Sequence, residues 1–314
     1  MAVRLVRFLG LLFLSSIFLS TPLPTFAQNP ISITIDQAGF DDQGHVLIGA
    51  WFPVVVTIEN GGGDVQGTLT VETNRARPKA GQTLDLPGGA RKQVTLLVRN
   101  DGNDSFDVVF SRANAAARVS VGGRIIAHQR TDHLIGLVGT QPAALAGFNL
   151  ANTTLVTIDP TTMVINDATL ANFKVLVVSN LTPTTEQVAA LNRWVMTGGL
   201  LIVDSGASSD GIAPEFTDLV PATVDMQAGT RTANFATKQI VPTASDTFNL
   251  TIRPIKALAN AQSVASDGDQ ALIVQRDLGL GSVLVTAFDV AAVPIERGKS
   301  SIWTQLIKPR GVLQ

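Results

Sequence analysis

From Ile31 to about Ala127 apolar and polar residues alternate in short runs, the period-two pattern of half-buried strands. The runs "ISITID", "FPVVVTIEN", "GTLTVET", "GQTLDLP", "RKQVTLLVRN", "FDVVFSR" and "ARVSVGGRIIAH" predict about seven strands. Turn formers punctuate them at Gly61-Gly62-Gly63, Pro87-Gly88-Gly89 and Asn100-Asp101-Gly102-Asn103. No segment there carries a helical period, and many short strands at close spacing predict a β-sandwich. Trp51 and Phe52, ahead of a valine run, are expected as core anchors.

After Arg130 the pattern changes. "HLIGLVG", "TTLVTID", "FKVLVVSN" and "LLIVDSG" are apolar runs of buried-strand type, and "PAALAGF" (142–148) is a short helical candidate. Between the last two strands, Val188, Leu191, Trp194 and Val195 recur at helical spacing. Thr182 or Thr184 is placed to cap that helix and Gly198 to stop it. Strands alternating with helices predict right-handed crossovers and a parallel, doubly wound sheet. "TVDMQAG", "NLTIRPIKAL" and "ALIVQRDLGLGSVLVTAFD" read as added strands, and "SSIWTQLIK" as a closing helix docked through Ile302, Trp303 and Leu306.

The amino terminus changes the picture of location. Arg4 and Arg7 precede an apolar core from about Phe8 to Leu19, and Thr25-Phe26-Ala27 sets small residues where a signal peptidase reads. The expected domains are a signal peptide over 1–27, cleaved near Ala27, a sandwich over 28–130 and an α/β domain over 131–314. The mature chain is expected outside the cytoplasm, secreted or associated with the cell envelope. The leader's apolar core, roughly a dozen residues, is short of the about 20 that a membrane span needs.

The chain has 314 residues, no cysteine, and a net charge of -2 from 23 basic and 25 acidic residues. Without cysteine there is no disulfide, thiol nucleophile or thiolate metal site. The balanced charge offers no field for nucleic acid. No cofactor is expected.

Candidate chemistry centres on "GGLLIVDSGASSD" (198–210), where an apolar strand breaks at Asp204, Ser205 and Gly206. In open α/β sheets function sits at the carboxyl ends of strands, which also places Ser179-Asn180 and Asp159 at that edge. A hydrolase elbow needs glycines on both sides of the serine at two-residue spacing, and Val203-Asp204-Ser205-Gly206-Ala207 lacks them. The only histidines are His45, His128 and His133, and His133, opening a strand, belongs at the opposite edge.

"FPVVVTIENGGGDVQGTLTVE" followed by "LDLPGGARKQVTLLVRN" resembles the immunoglobulin-like modules of exported bacterial proteins, over most of residues 31–127. That resemblance implies a spacer or interaction domain. Over about 133–308 the strand, Gly-Gly-ended helix, strand ending in Gly206 and late Phe-Asp-Val-Ala resemble the class I glutamine amidotransferase-like fold, a flavodoxin-like α/β architecture. The alignment puts Asp204 where active members carry the cysteine. Asp289, Val290 and Ala291 then fall where they carry His-Pro-Glu. A carboxylate is a poor nucleophile toward an amide, and a second one cannot replace imidazole. The resemblance therefore implies a vacated site, with Asp204, Ser205, Gly206 and Asp289 as its vestigial pocket. If Asp204 and Asp289 converge, their like charges would raise one pKa or recruit a cation; two solvated loop aspartates is the favoured reading.

The remaining candidates read as structure. "DGNDSFD" (101–107) has calcium-like alternation, but Phe106 stands at the glycine position and Arg112 at the glutamate. Asp41, Asp42 and His45 lack a second metal-ligating cluster and read as a solvated loop. Gly279 and Gly281 are not followed by a helix that could receive phosphate. Sequons stand at Asn103, Asn152, Asn180 and Asn249. Trp51, Trp194 and Trp303 fit core positions better than sugar platforms. The sequence thus predicts a non-enzymatic extracytoplasmic binding or assembly module. Its partner would be an unidentified envelope protein, through which it could associate with the membrane. The alternatives are an exported hydrolase using Asp204, Ser205 or Asp289, with or without a metal, and a carbohydrate-binding module.

Overall fold

The computed structural model describes residues 30–73, 78–113, 116, 118–139, 151–205, 212–226, 228–243, 245–293 and 299–307. The leader and its cleavage site, the helical candidate at 142–148, and Gly206 lie outside these residues.

In the first part, two antiparallel sheets face each other. One is ordered β1-β3-β6, with β1 Ile31–Ala38, β3 Trp51–Asn60 and β6 Arg91–Arg99. The other is ordered β5-β4-β7-β8, with β4 Val65–Thr73, β5 Pro78–Leu86, β7 Ser105–Arg112 and β8 Arg118–Arg124. The alternation works as expected on β4, where Leu69 and Val71 are fully buried between more exposed threonines and glutamate; on β7, Val108, Val109 and Phe110 are all buried. In β3 seven consecutive residues, Phe52 to Ile58, are buried. Trp51 departs from expectation. It is 39% exposed while Phe52 is 2% exposed, because successive strand side chains point to opposite faces.

A short parallel pair, β2 (His45–Leu47) with β9 (Ile126–His128), leads into the second part. There a nine-stranded sheet is ordered β11-β10-β12-β13-β20-β19-β17-β14, with β18 beside β19. Strands β10 (His133–Val138), β11 (Thr153–Ile158), β12 (Phe173–Val178), β13 (Leu200–Asp204) and β20 (Gly281–Thr286) run parallel. Strands β14 (Ala222–Val224), β17 (Ile255–Ala257), β18 (Gln262–Asp267) and β19 (Gln270–Leu278) join antiparallel. A further hairpin pairs β15 (Arg231–Ala236) with β16 (Thr247–Ile252).

The expected flavodoxin-like, amidotransferase-like α/β domain is corrected here. Among the described residues strands make up 52% and helices 13%. The described α-helices are α1 (Asp167–Leu170), α2 (Thr185–Met196) and α3 (Lys299–Ile307). From Ala222 to Leu278 the chain folds into short strands that pair antiparallel, where an α/β layer needs crossover helices.

The two parts are joined by side chains. Asn172 accepts from the Leu47 amide (3.0 Å) and donates to the carbonyls of Trp51 (2.7 Å) and Thr169 (3.0 Å). Beside it Phe40 and Phe173 meet edge to face at 4.8 Å.

Candidate functional site

Strands β12 and β13 end next to each other, with Val178 opposite Val203. Val175–Val178 and Leu200–Val203 are apolar and buried, as strands covered on both faces are, and polar residues follow directly. There, Asp204 and Ser205 are 2% and 0% exposed, and Ser179 is 3% exposed. Asp204 is therefore no solvated loop residue: it is the last, inward-held residue of β13. Its Oδ2 accepts from the Ser179 hydroxyl (3.2 Å) and from the Val290 amide (3.1 Å).

Ser205 donates both its amide (3.2 Å) and its hydroxyl (2.6 Å) to the carbonyl of Thr286 on β20. A nucleophile needs its hydroxyl directed to a base, and this one is directed to backbone. Asp289 lies just past β20. Its Oδ1 accepts from the Ala291 amide (2.7 Å) and caps the single-turn helix Val290–Ala292. Asp204 and Asp289 thus reach the same turn, each holding a backbone amide of it. Gly206 lies outside the described residues.

Next to Asp204 opens a cleft of about 260 Å³, lined among others by Val178, Asn180, Leu181, Glu215 and Phe216. Asn180 holds φ +54, the left-handed region that an asparagine tolerates better than most residues. On the same edge Asp159 accepts from the amide and hydroxyl of Thr161 (2.8 and 2.7 Å), bonds that hold its carboxyl below the ordinary value.

The histidines lie elsewhere: His133 opens β10, and His45 and His128 sit on the β2–β9 pair. A six-residue strand is about 16 Å long, so His133 at its start stands a strand length from the carboxyl edge. His45 and His128 stack at 5.1 Å between ring centroids. Asp41 bonds His45 at 2.7 Å and Asp132 approaches His128 at 3.7 Å. The Asp41–His45 stretch, expected as a solvated loop, is instead partly buried: Asp41 also accepts the amides of Gly44 and His45. Sequence reasoning missed this pairing, although the two four-residue Asp/His spacings were visible. Among the described residues no group of three or more His, Cys, Asp and Glu is placed to hold a metal ion. The calcium-like stretch at Asp101–Asp107 leads from β6 to β7, with Gly102 at φ +94. Of the tryptophans, Trp194 and Trp303 are core residues.

Fold and site define a strand-rich chain whose polar edge residues are tied to its own backbone. Residues 30–130 match the model of a domain of unknown function (DUF8726). No curated protein matches the chain. Among solved structures it is similar to a cytoplasmic protein, STM1381, from Salmonella typhimurium LT2, at 13% identity and a TM-score of 0.44, covering 65% of this chain and 94% of that one. It is also similar to the exo-β-1,4-mannosidase Op5Man5 from Opitutaceae bacterium strain TAV5, at 15% identity and a TM-score of 0.38. That match covers 56% of this chain and 34% of the mannosidase. A FixG-related protein from Vibrio parahaemolyticus matches at 13% identity and a TM-score of 0.25, over 32% of this chain and 98% of that one. Likenesses this distant carry no conclusion about fold or activity.

Proposed function

We propose that this chain is a non-enzymatic binding or assembly module of the cell envelope, acting outside the cytoplasm after removal of a leader near Ala27. One observation carries the proposal. The polar groups at the strand ends are already spent on the protein's own backbone: Ser205 on Thr286, Asp204 on Val290, Asp289 on Ala291. Catalysis needs a reactive group aimed at a substrate and a partner to move its proton, and the imidazoles lie a strand length away. The leader-like amino terminus and the many-stranded first part support a role in contact with other envelope proteins.

The test is a broad screen of ester, amide and glycoside substrates with the purified chain, alongside Ser205→Ala. No turnover above background is expected from either protein. Turnover that Ser205→Ala abolishes would replace this reading with a hydrolase. Cell fractionation supplies a second check: the chain is expected in the envelope or medium, and recovery in the cytoplasm with an intact leader would contradict the location.

A further inference from the structure

Strand β11 is the last strand of the large sheet, and among the described residues no strand pairs with its outer side. The His133 amide donates to Asn152 O (2.7 Å) and the Gly139 amide to Ile158 O (3.1 Å). Parallel ladders use alternate residues, so even-numbered residues of β11 face β10. The amides and carbonyls of Thr153, Leu155 and Thr157 therefore point outward. An unpaired row of this kind is a template for an added strand.

Leu155 and Thr157 line a cleft of about 810 Å³ between the two parts of the molecule. Its other wall comes from the end of β1 and the loop after it. There the register with β3 shifts between Ile35 and Gln37, a bulge at Asp36. Asp36, Asp41, Asp42 and Asp159 line the cleft, and no lysine or arginine does. These carboxylates do not gather into a group able to chelate one ion. Coming from both walls of the cleft, they favour a cationic occupant. Asp36 accepts from the Thr57 hydroxyl and Asp41 bonds His45, which fixes both carboxylates in place. Phe40 and the half-buried Leu155 add an apolar floor.

We propose that the outer edge of β11 and the aspartates facing it dock an extended, lysine- or arginine-bearing segment of another protein, added to the sheet as a further strand. Main-chain bonds to Leu155 and Thr157 give the attachment, and alternation in the added strand sends every second side chain toward the carboxylates. This deepens the reading of the chain as a binding module, and rests on it for the identity of the partner as an envelope protein.

A labelled peptide of about eight residues alternating lysine and valine is the probe, with a glutamate–valine peptide as its charge-reversed control. The lysine peptide is expected to bind the purified chain and to protect the amides of Leu155 and Thr157 from hydrogen exchange. Raising salt from about 50 to 300 mM should weaken it at least about tenfold. A triple variant, Asp36→Asn with Asp42→Asn and Asp159→Asn, should do the same. Thr157→Pro removes an outward amide and should abolish binding, with circular dichroism reporting whether the variant is folded. The proposal is overturned by failure of the lysine peptide to bind, by equal binding of the glutamate peptide, by unprotected Leu155 and Thr157 amides, or by a triple variant that binds as well as the parent. If the peptide fails while the substrate screen is also blank, the docking edge alone falls. Turnover in that screen removes the module reading and leaves the edge to be judged by the peptide.

Discussion

Asp204 shows how one residue's surroundings decide between chemistry and architecture. Its carboxylate receives a hydroxyl from β12's end and an amide from the turn after β20, so it ties two strand ends together. Truncation takes the acceptor from the buried Val290 amide and one bond from the Ser179 hydroxyl, which costs about 1–3 kcal/mol. Asp204→Ala is therefore expected to lower the urea-unfolding free energy by that amount; an unchanged midpoint would remove the tie. A second residue-scale expectation concerns acid. Burial, then the neighbouring His45, pushes the pKa of His128 below its ordinary value of 6.5 against the pull of Asp132 and Asp41. Burial and Lys174 lower that of His133, against the pull of Asp132. Above pH 6.5 neither the folded nor the unfolded form of these groups binds a proton. Below it the unfolded chain takes protons first, so stability falls as pH drops from 6.5 toward the folded-state values. Denaturation at about pH 7.5 and 5.5 should show the loss, and His128→Gln should shrink it.

At the scale of elements, α2 was legible because its signals are local. Thr184 accepts from the Gln187 amide (3.3 Å) while the Gln187 side chain accepts from the Thr184 amide (2.8 Å), a reciprocal cap that sequence spacing announces. Thr184→Ala is expected to cost about 1 kcal/mol, measured by thermal or urea unfolding. The helix end is fixed by a tighter constraint. A Cβ on Gly281, the first residue of β20, would stand 2.2 Å from the carbonyl oxygens of Val195 and Gly199. Gly281→Ala should destabilise by at least about 2 kcal/mol, whereas Gly63→Ala, with open space around it, should be nearly neutral. That close approach was invisible in the sequence, where Gly281 read as part of a simple turn. Period-two runs such as Val65–Thr73 announced themselves as strands, but not which strand lay beside which. The dissimilar fates of adjacent Trp51 and Phe52 turn on which face each one meets, a tertiary fact.

Across the whole molecule, the polar tie at Asn172 reports on how the two parts are held. Its bonds to Leu47 and Trp51 join residues more than 100 positions apart, and a third, to Thr169, holds it locally. Asn172→Ala should cost about 1–3 kcal/mol, since the buried Leu47 amide loses its acceptor. Faster limited proteolysis between residues 125 and 135 is expected to accompany the loss; a variant as resistant as the parent would show that packing of Phe40 on Phe173 suffices. The change of pattern after Arg130 was readable because periodicity changes there. The mixed character of the large sheet was not, because hairpin and crossover connections differ in what they pair with rather than in local composition.

The neighbour of β13 on its far side is β20, which arrives only after the whole excursion from Ala222 to Leu278 has been made. A ribosome that has delivered residues up to Asp204 has therefore produced a strand with β12 on one side and no partner yet on the other. Chains released early would carry that bare apolar rim into solution and clump, while complete ones bury it, so synthesis must finish before the latter part of this polypeptide can settle.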